Sequence, residues 1–571
     1  MAINLRPVDV ALIGLGAANG VAVLPLARAG LRIAALEAGA WMKPGDFKPD
    51  EIRNNVRHQV TTGRKVAGEI PTFRTSPDEI ARPAAQYHNM MNAVGGTSIH
   101  YYANHWRFSP WDFRARSETI RRYGADALPA GTTLEDWPLT YEDLEPFYDI
   151  TEYEIGVSGK AGNLKGAIDP AGNVFEGPRQ REYPMPPLRS TDFTELVTAA
   201  ARSVGFHAHM SPAAINTREY GGRPGCVYHG YCDTGGCHIG AKNSTAVSTI
   251  PAAMKTKNLT IFEYAHVTRI VTDAHDRASG VLYIRDGKEY FQPAKAVLLG
   301  SYAYENSRLL LLSKSKAFPT GLANRHGQVG RHFITHWASR DRVALFPRDL
   351  NLWYGAMGQA IMVNDWADDN FDHAGLGFIG GAGMQVSHEI HPIAAASMPT
   401  FGKTPRTWGS AWKHFVHENA SRWTGVFIQC NTLPYENTWL DLDFEVKDPL
   451  GDPVCRITSG AKDNERRAAA FVAAKAEAWL RAAGAIEVIT PPGAGAPPKL
   501  SNHAAGGTRM GDNPETNVVD RWGFAHEVPN LGIVGASVMG THGARNPTGT
   551  VQALAWRTAD RLVKNWNSIA G

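Results

Sequence analysis

Near the N-terminus the apolar residues fall into two short runs: positions 8–13, broken only by Asp9, and positions 31–36, broken only by Arg32. Between them lie a glycine turn and a largely apolar stretch that ends near Ala29. Short apolar runs bounded by turn residues read as strands covered on both faces. The pattern therefore predicts a strand over 8–13, a helix to about Ala29 and a second strand over 31–36, a βαβ unit. A signal peptide or membrane anchor is the competing reading. Against it, Asp9 stands where a basic flank belongs, and Pro25 and four glycines interrupt the stretch. No other window approaches the ~20 uninterrupted apolar residues of a span, so a soluble chain with no cleavable signal of its own is expected. Further along, strand-length runs recur at 343–346 and 426–429. An alanine-rich stretch over 466–483 predicts a helix, and Pro491-Pro492-Gly493-Ala494-Gly495-Ala496-Pro497-Pro498 predicts a linker.

Charge and composition narrow the class. With 58 Lys+Arg against 55 Asp+Glu, the net charge is +3, which argues against a nucleic-acid or polyanion binder. The 571 residues, 43% hydrophobic and 20% charged, exclude disorder. At roughly 150 residues per domain they imply two to four domains. Glycine is in excess at 57, with no collagen-like period, and points to tight turns and close backbone approaches. Only five cysteines are present, too few for a disulfide scaffold, yet Cys226, Cys232 and Cys237 fall within twelve residues. Clustered thiols in such a chain suggest a metal.

The first turn reads Gly14-Leu15-Gly16-Ala17-Ala18-Asn19, and Glu37 closes the second predicted strand 21 positions after Gly16. Strand before, helix after and acid at this distance are the physics of a dinucleotide site. Gly14 permits the turn, Gly16 lets the backbone approach a pyrophosphate at the helix N-terminus, and Glu37 accepts from ribose hydroxyls. Asn19 occupies the third-glycine position. Beyond Glu37 the chain leaves regular α/β alternation, unlike a nicotinamide domain.

A second glycine turn, Asn92-Ala93-Val94-Gly95-Gly96-Thr97-Ser98, follows. The C-terminal part holds Asn502-His503 with Gly506-Gly507-Thr508-Arg509-Met510-Gly511, then Val518-Val519-Asp520, Gly535-Ala536-Ser537 and Asn546-Pro547-Thr548-Gly549-Thr550. Taken together these segments resemble the glucose–methanol–choline (GMC) family of FAD oxidoreductases from end to end. Within it they look most like the large subunits of bacterial gluconate, glucose and glucoside dehydrogenases. The resemblance implies an α/β architecture: a Rossmann-like FAD-binding domain with an inserted substrate domain built on an antiparallel sheet. The FAD domain would comprise residues 1–42, 84–110, 215–335 and 495–571, and the substrate domain residues 43–83, 111–214 and 336–494. FAD would be held by Gly14, Gly16, Asn19 and Glu37, by Gly95, Gly96 and Thr97 near the isoalloxazine, by the Val267 backbone near the adenine, and by Asp520 and Ala536.

Removing a hydride from an alcohol carbon requires a neutral base for the hydroxyl proton and a polar group to hold the oxygen. Histidine, with an ordinary pKa near 6.5, suits the first role. By motif position the resemblance makes His503 the base and Asn546 its partner. His542 is a rival for the partner role, and His100 and His336 are candidates to line the pocket or to satisfy core hydrogen bonds. Trp106, Trp353, Trp408 and Trp412 offer flat faces to sugar rings if they are not simply core or interface packing.

The cysteine segment, spaced Cys-x5-Cys-x4-Cys, has glycines at 225, 230, 235, 236 and 240 that let backbone N–H groups reach sulfur. It resembles the iron–sulfur insertion of the dehydrogenase subgroup, which implies that Cys226, Cys232 and Cys237 hold a [3Fe–4S] cluster. A Cys3His zinc site using His229 or His238 is the alternative, and Cys430 and Cys455 read as buried small hydrophobes. A flavin takes two electrons and a cluster relays one at a time, so the pair suits a dehydrogenase that feeds a one-electron acceptor such as a cytochrome c. The expected substrate is a hydroxyl of a sugar, a glycoside (C3 included) or a sugar acid. By resemblance a small accessory subunit and a periplasmic address are expected. An oxygen-using GMC oxidase with structural zinc, and a non-catalytic flavin-binding assembly subunit, remain the alternatives.

Overall fold

In the computed structural model the described residues are 2–60, 69–84, 90–232, 234–388, 390–402, 404–495 and 502–571. Val8–Ile13 forms a buried parallel strand flanked by Ile33–Leu36 on one side and by the second half of Lys288–Leu299 on the other. Leu259–Phe262 extends the sheet beyond Ile33–Leu36, and Val528–Ile533 pairs in parallel with Lys288–Leu299 at the opposite end. Parallel strands need cover on both faces, which explains their nearly continuous apolar runs. The helix Asn19–Arg28 packs on the helices Thr548–Lys564 and Thr249–Met254. It runs through Pro25 without breaking, and the second strand begins at Ile33 rather than at position 31. The first half of Lys288–Leu299 belongs to an antiparallel meander with Ala278–Arg285 and His266–Thr272.

A second sheet has six antiparallel strands in the order Glu487–Ile489, Ala338–Leu345, Trp423–Cys430, Ala382–Val386, Ile361–Val363, Ala208–Met210. The predicted runs at 343–346 and 426–429 are neighbours in it. Side chains alternate across a pleated sheet. Val426, Ile428 and Cys430 accordingly enter a core with Phe193 and Val197 of the helix Asp192–Ser203 and Val472 and Trp479 of the helix Asp463–Ala482. Gly425 and Phe427 face the opposite way, into a large cavity. The last helix starts three residues before the alanine-rich run because its first turn is charged, Asp463 and Glu465 lying where the helix dipole favours acids. Cys430 and Cys455 are buried and unbridged, as expected of small hydrophobes. Of the expected linker, positions 496–498 lie outside the described residues.

The two sheets are joined by a short antiparallel pairing of Ile334–Thr335 with Ala504–Ala505, in which Ile334 faces Ala505 and Thr335 faces Ala504. One step further along the same register His336 faces His503.

Candidate active site

The large cavity, about 600 Å³, runs along the C-terminal ends of the parallel strands and under the six-stranded sheet. Such crevices are where open α/β sheets bind ligands. It is lined by Glu37 and Val267, by Gly14, Gly16 and Ala18 of the glycine turn, and by Thr97, His100, His503 and Asn546. An acid, a glycine turn at a helix N-terminus and a histidine with an asparagine, all on one cavity, suit the ribose, pyrophosphate and flavin of FAD.

The glycine turn is built from two backbones. Gly14 and Gly96 are left-handed, with φ +74° and +53°. A Cβ on Gly96 would sit 2.9 Å from the Gly16 Cα, so the two glycine motifs require each other as well as a ligand. The Gly95 N–H donates to the Leu15 carbonyl at 2.8 Å, and Thr245 Oγ1 donates to the Gly16 carbonyl at 3.2 Å. Glu37 accepts from the N–H groups of Leu15 at 2.9 Å and Gly39 at 3.1 Å. Burial nevertheless pushes its carboxyl up to about 7.

Three residues expected to touch the cofactor, Asn19, Gly95 and Asp520, do not line the cavity. Asn19 is buried, and its Nδ2 donates to the carbonyls of Ile13, Gly14 and Leu298 at 3.1, 2.9 and 3.3 Å, so it ties the turn to the sheet. Asp520 accepts from the N–H groups of Trp522 and Phe524 at 2.8 and 2.9 Å, which makes it the organiser of a local turn. Ala536 and Val267 do line the cavity, whereas Gly95 stands behind Gly96.

On the cavity wall His503 is held by His336, Nδ1 to Nδ1, at 2.9 Å. His336 in turn lies 2.9 Å, through Nε2, from the Cys430 carbonyl. The His542 ring stacks on His336 with centroids 3.8 Å apart and planes 13° apart. Burial pushes His503 down to about 4 and His542 to about 3. His542 is buried and does not line the cavity, whereas Asn546 does. Asn546 enters the 17-residue helix Thr548–Lys564 directly after Arg545. The Arg545 guanidinium pairs with buried Asp368, and Asn431 Nδ2 bridges Asp368 and Asp112 at 2.7 and 3.2 Å. Among the described residues, His336, His503 and His542 form the one histidine, cysteine or acid set of three with ligand atoms within 4.8 Å of one another. Both His336 nitrogens are already committed and its ring is stacked face to face, which opposes convergence on a metal.

Of the tryptophans considered for sugar contact, none lines the cavity: Trp106 is buried and Trp408 is exposed. The tryptophan that does line it, Trp423, starts the central strand of the six-stranded sheet and carries no local signature.

The cysteine loop reaches the cavity through Thr234, which lines it; Asp233 lies outside the described residues. Tyr228, Gly230, Tyr231 and Thr234 are all left-handed. The resulting coil aims the Tyr228 N–H at Cys226 Sγ, 3.4 Å away, and burial pushes that thiol up to about 11. Buried Lys242 donates to the carbonyls of Tyr101 at 3.0 Å, Cys232 at 2.7 Å and Gly235 at 2.8 Å, clamping the loop to the end of the second glycine turn. Lys242 was legible only as part of a Gly-Ala-Lys run with no evident task.

Fold and cavity together define an α/β dinucleotide oxidoreductase with a sheet-roofed cavity. Comparison with known proteins agrees. Profiles described as GMC oxidoreductase match residues 187–338 and 440–555. The gluconate 2-dehydrogenase flavoprotein of Pantoea cypripedii is 32% identical, covering 98% of this chain and 94% of its own. The fructose dehydrogenase large subunit of Gluconobacter japonicus is 27% identical, covering 98% of each chain. The crystal structure of pyridoxine 4-oxidase from Mesorbium loti superposes with a TM-score of 0.62 at 16% identity, covering 97% of this chain and 99% of that one. The chain belongs to the GMC oxidoreductase family, and it is an FAD-dependent enzyme that oxidises a hydroxyl group.

Proposed function

We propose that the protein is a dehydrogenase for a sugar, glycoside (at C3 among other positions) or sugar acid, passing electrons through an iron–sulfur cluster to a one-electron acceptor such as a cytochrome c. The observation that carries the catalytic reading is that His503 and Asn546 line the same cavity. His503, neutral at pH 7 because burial lowers its pKa, takes the substrate hydroxyl proton. Asn546, anchored by Arg545, donates to the same oxygen and fixes it while negative charge develops there. The six-stranded sheet excludes water and presents Gln385 and Trp423 to the sugar. Bound FAD supplies the hydride acceptor.

Three thiols on one coiled loop, a backbone N–H on sulfur and a buried ammonium beneath the loop suit an iron–sulfur centre held by Cys226, Cys232 and Cys237. It would supply one-electron transfer. Zinc with Zn–S near 2.3 Å would draw sulfurs to about 3.8 Å. Iron together with acid-labile sulfide in the purified protein would separate the cluster from zinc.

A small accessory subunit and a periplasmic address belong to the same proposal; the likeness to a protein named a large subunit supports the first. No helix among the described residues is long and apolar enough to cross a membrane. Likeness to the paromamine 6'-oxidase of Streptomyces fradiae, 26% identical, favours oxygen as acceptor in a second reading.

Anaerobic addition of glucose, gluconate, sorbitol or methyl glucoside is expected to bleach the flavin absorbance of the purified holoenzyme. His503→Ala should slow bleaching about 10²–10⁴-fold with FAD still bound. A holoenzyme that none of these compounds bleaches would remove the sugar reading, and full activity of His503→Ala would remove the base.

A further inference from the structure

We infer that His336 is a positioning residue for catalysis: it fixes His503 in the tautomer whose Nε2 lone pair is available to take the substrate proton. The inference rests on the reading of His503 as the base. His336 is fully buried, and its two nitrogens have different partners. A carbonyl oxygen only accepts, so the 2.9 Å contact between Nε2 and the Cys430 carbonyl requires that Nε2 carry the proton. A neutral His336 is then left with a bare Nδ1. The 2.9 Å contact between that nitrogen and His503 Nδ1 requires His503 to donate. A neutral His503 consequently bears its proton on Nδ1 and its lone pair on Nε2. Without this partner an imidazole divides itself between two tautomers, one of which has no lone pair on Nε2.

The arrangement is built into the fold. Ile334–Thr335 pairs with Ala504–Ala505, so strand register sets the two histidines opposite one another. On the other side of His336, the Cys430 N–H donates to the Trp337 carbonyl at 2.9 Å, which holds the accepting carbonyl at the end of the substrate sheet. His542 covers one face of the His336 ring, and its backbone is paired both ways with Thr432 at 2.9 and 3.0 Å. His336 therefore cannot rotate without giving up both ring contacts and the stacking on His542. Burial, with His503 and His542 close by, keeps it neutral, the state that the tautomer argument needs. After proton uptake His503 carries both protons and still donates through Nδ1, so the same contact orients the imidazolium that forms. The alcohol proton ends on Nε2 and no further acceptor is needed.

Two substitutions separate positioning from packing. Asparagine at position 336 offers an amide oxygen near the place of the imidazole Nδ1 and can still accept from His503; leucine fills similar space and accepts nothing. The holoenzymes are reduced anaerobically with whichever of glucose, gluconate, sorbitol or methyl glucoside bleaches the parent fastest. His336→Leu is expected to lower the limiting rate of flavin bleaching about 10²-fold with KM within about threefold of the parent, because the base loses its fixed orientation together with its tautomer. His336→Asn is expected to recover at least tenfold of that loss. In protein labelled with ¹⁵N-histidine, the signals that vanish in His503→Ala should show a protonated Nδ1 and an unprotonated Nε2. A His336→Leu enzyme within twofold of the parent, a His336→Asn enzyme as slow as His336→Leu, or the opposite tautomer would each overturn the inference. If His503→Ala instead bleaches at the parent rate, it is the base assignment that has failed.

Discussion

An imidazole enclosed by protein holds a second proton poorly, because burial strips the charge of its hydration. His503 is pushed down to about 4 for this reason, and sits above two further histidines that are held neutral in the same way. The base must be neutral to act. We therefore expect kcat/KM to stay level through neutral pH and to fall about tenfold per unit below about pH 4. Stability follows the same sign. In the unfolded chain His503 titrates near 6.5, so between roughly pH 6.5 and 4 unfolding takes up protons, and the melting temperature should drop as pH is lowered through that window. An acid limb of kcat/KM centred near 6.5 would contradict the burial argument. His503 and Asn546 were legible as motif positions. His336 was legible only as a candidate to line the pocket or to satisfy core hydrogen bonds, because the contact that gives it meaning joins positions 167 apart in the chain.

The elements around the cavity hold together by backbone contacts that only glycine allows. Gly96 combines a left-handed φ of +53° with a Cβ position 2.9 Å from the Gly16 Cα. Gly131 has φ +70° and open space around it. Gly131→Ala should cost about 1 kcal/mol from the backbone alone. Gly96→Ala should cost several kcal/mol and lose FAD, because two turns must separate. Thermal release of flavin fluorescence measures both; a Gly96→Ala protein as stable and as flavin-loaded as Gly131→Ala would show that the turns do not touch. Strand and helix positions here were legible because their signals are local: nearly continuous apolar runs, a glycine turn, an alanine-rich helix. Start points were less so. The helix Asp463–Ala482 begins in a charged turn that an apolar pattern passes over, and Asp520 reads as a cofactor ligand until its carboxylate is seen closing its own turn.

At the scale of the molecule, one sheet carries the dinucleotide turn, the six-stranded sheet covers the reacting groups, and the cysteine loop is clamped against the end of the second glycine turn by Lys242. If electrons leave through that loop, Cys226→Ser should lower the iron and acid-labile sulfide of the purified protein. It should also slow cytochrome c reduction at least tenfold more than it slows flavin bleaching. Parent protein without iron, or equal effects on both rates, would argue for a different exit. The amino-acid sequence by itself determined the family, the two glycine turns, the acid after the second strand, the histidine–asparagine pair and the thiol cluster, because each is a short run whose chemistry depends on spacing along the chain. Only the tertiary structure decided that Asn19 and Asp520 serve the backbone, that Trp423 rather than the other candidate tryptophans faces the cavity, and that His336 backs His503. The last two depend on the register between distant strands and on which face of a sheet a side chain takes, which a shift of one residue would reverse; the first depends on the backbone groups that the folded turns bring to Asn19 and Asp520.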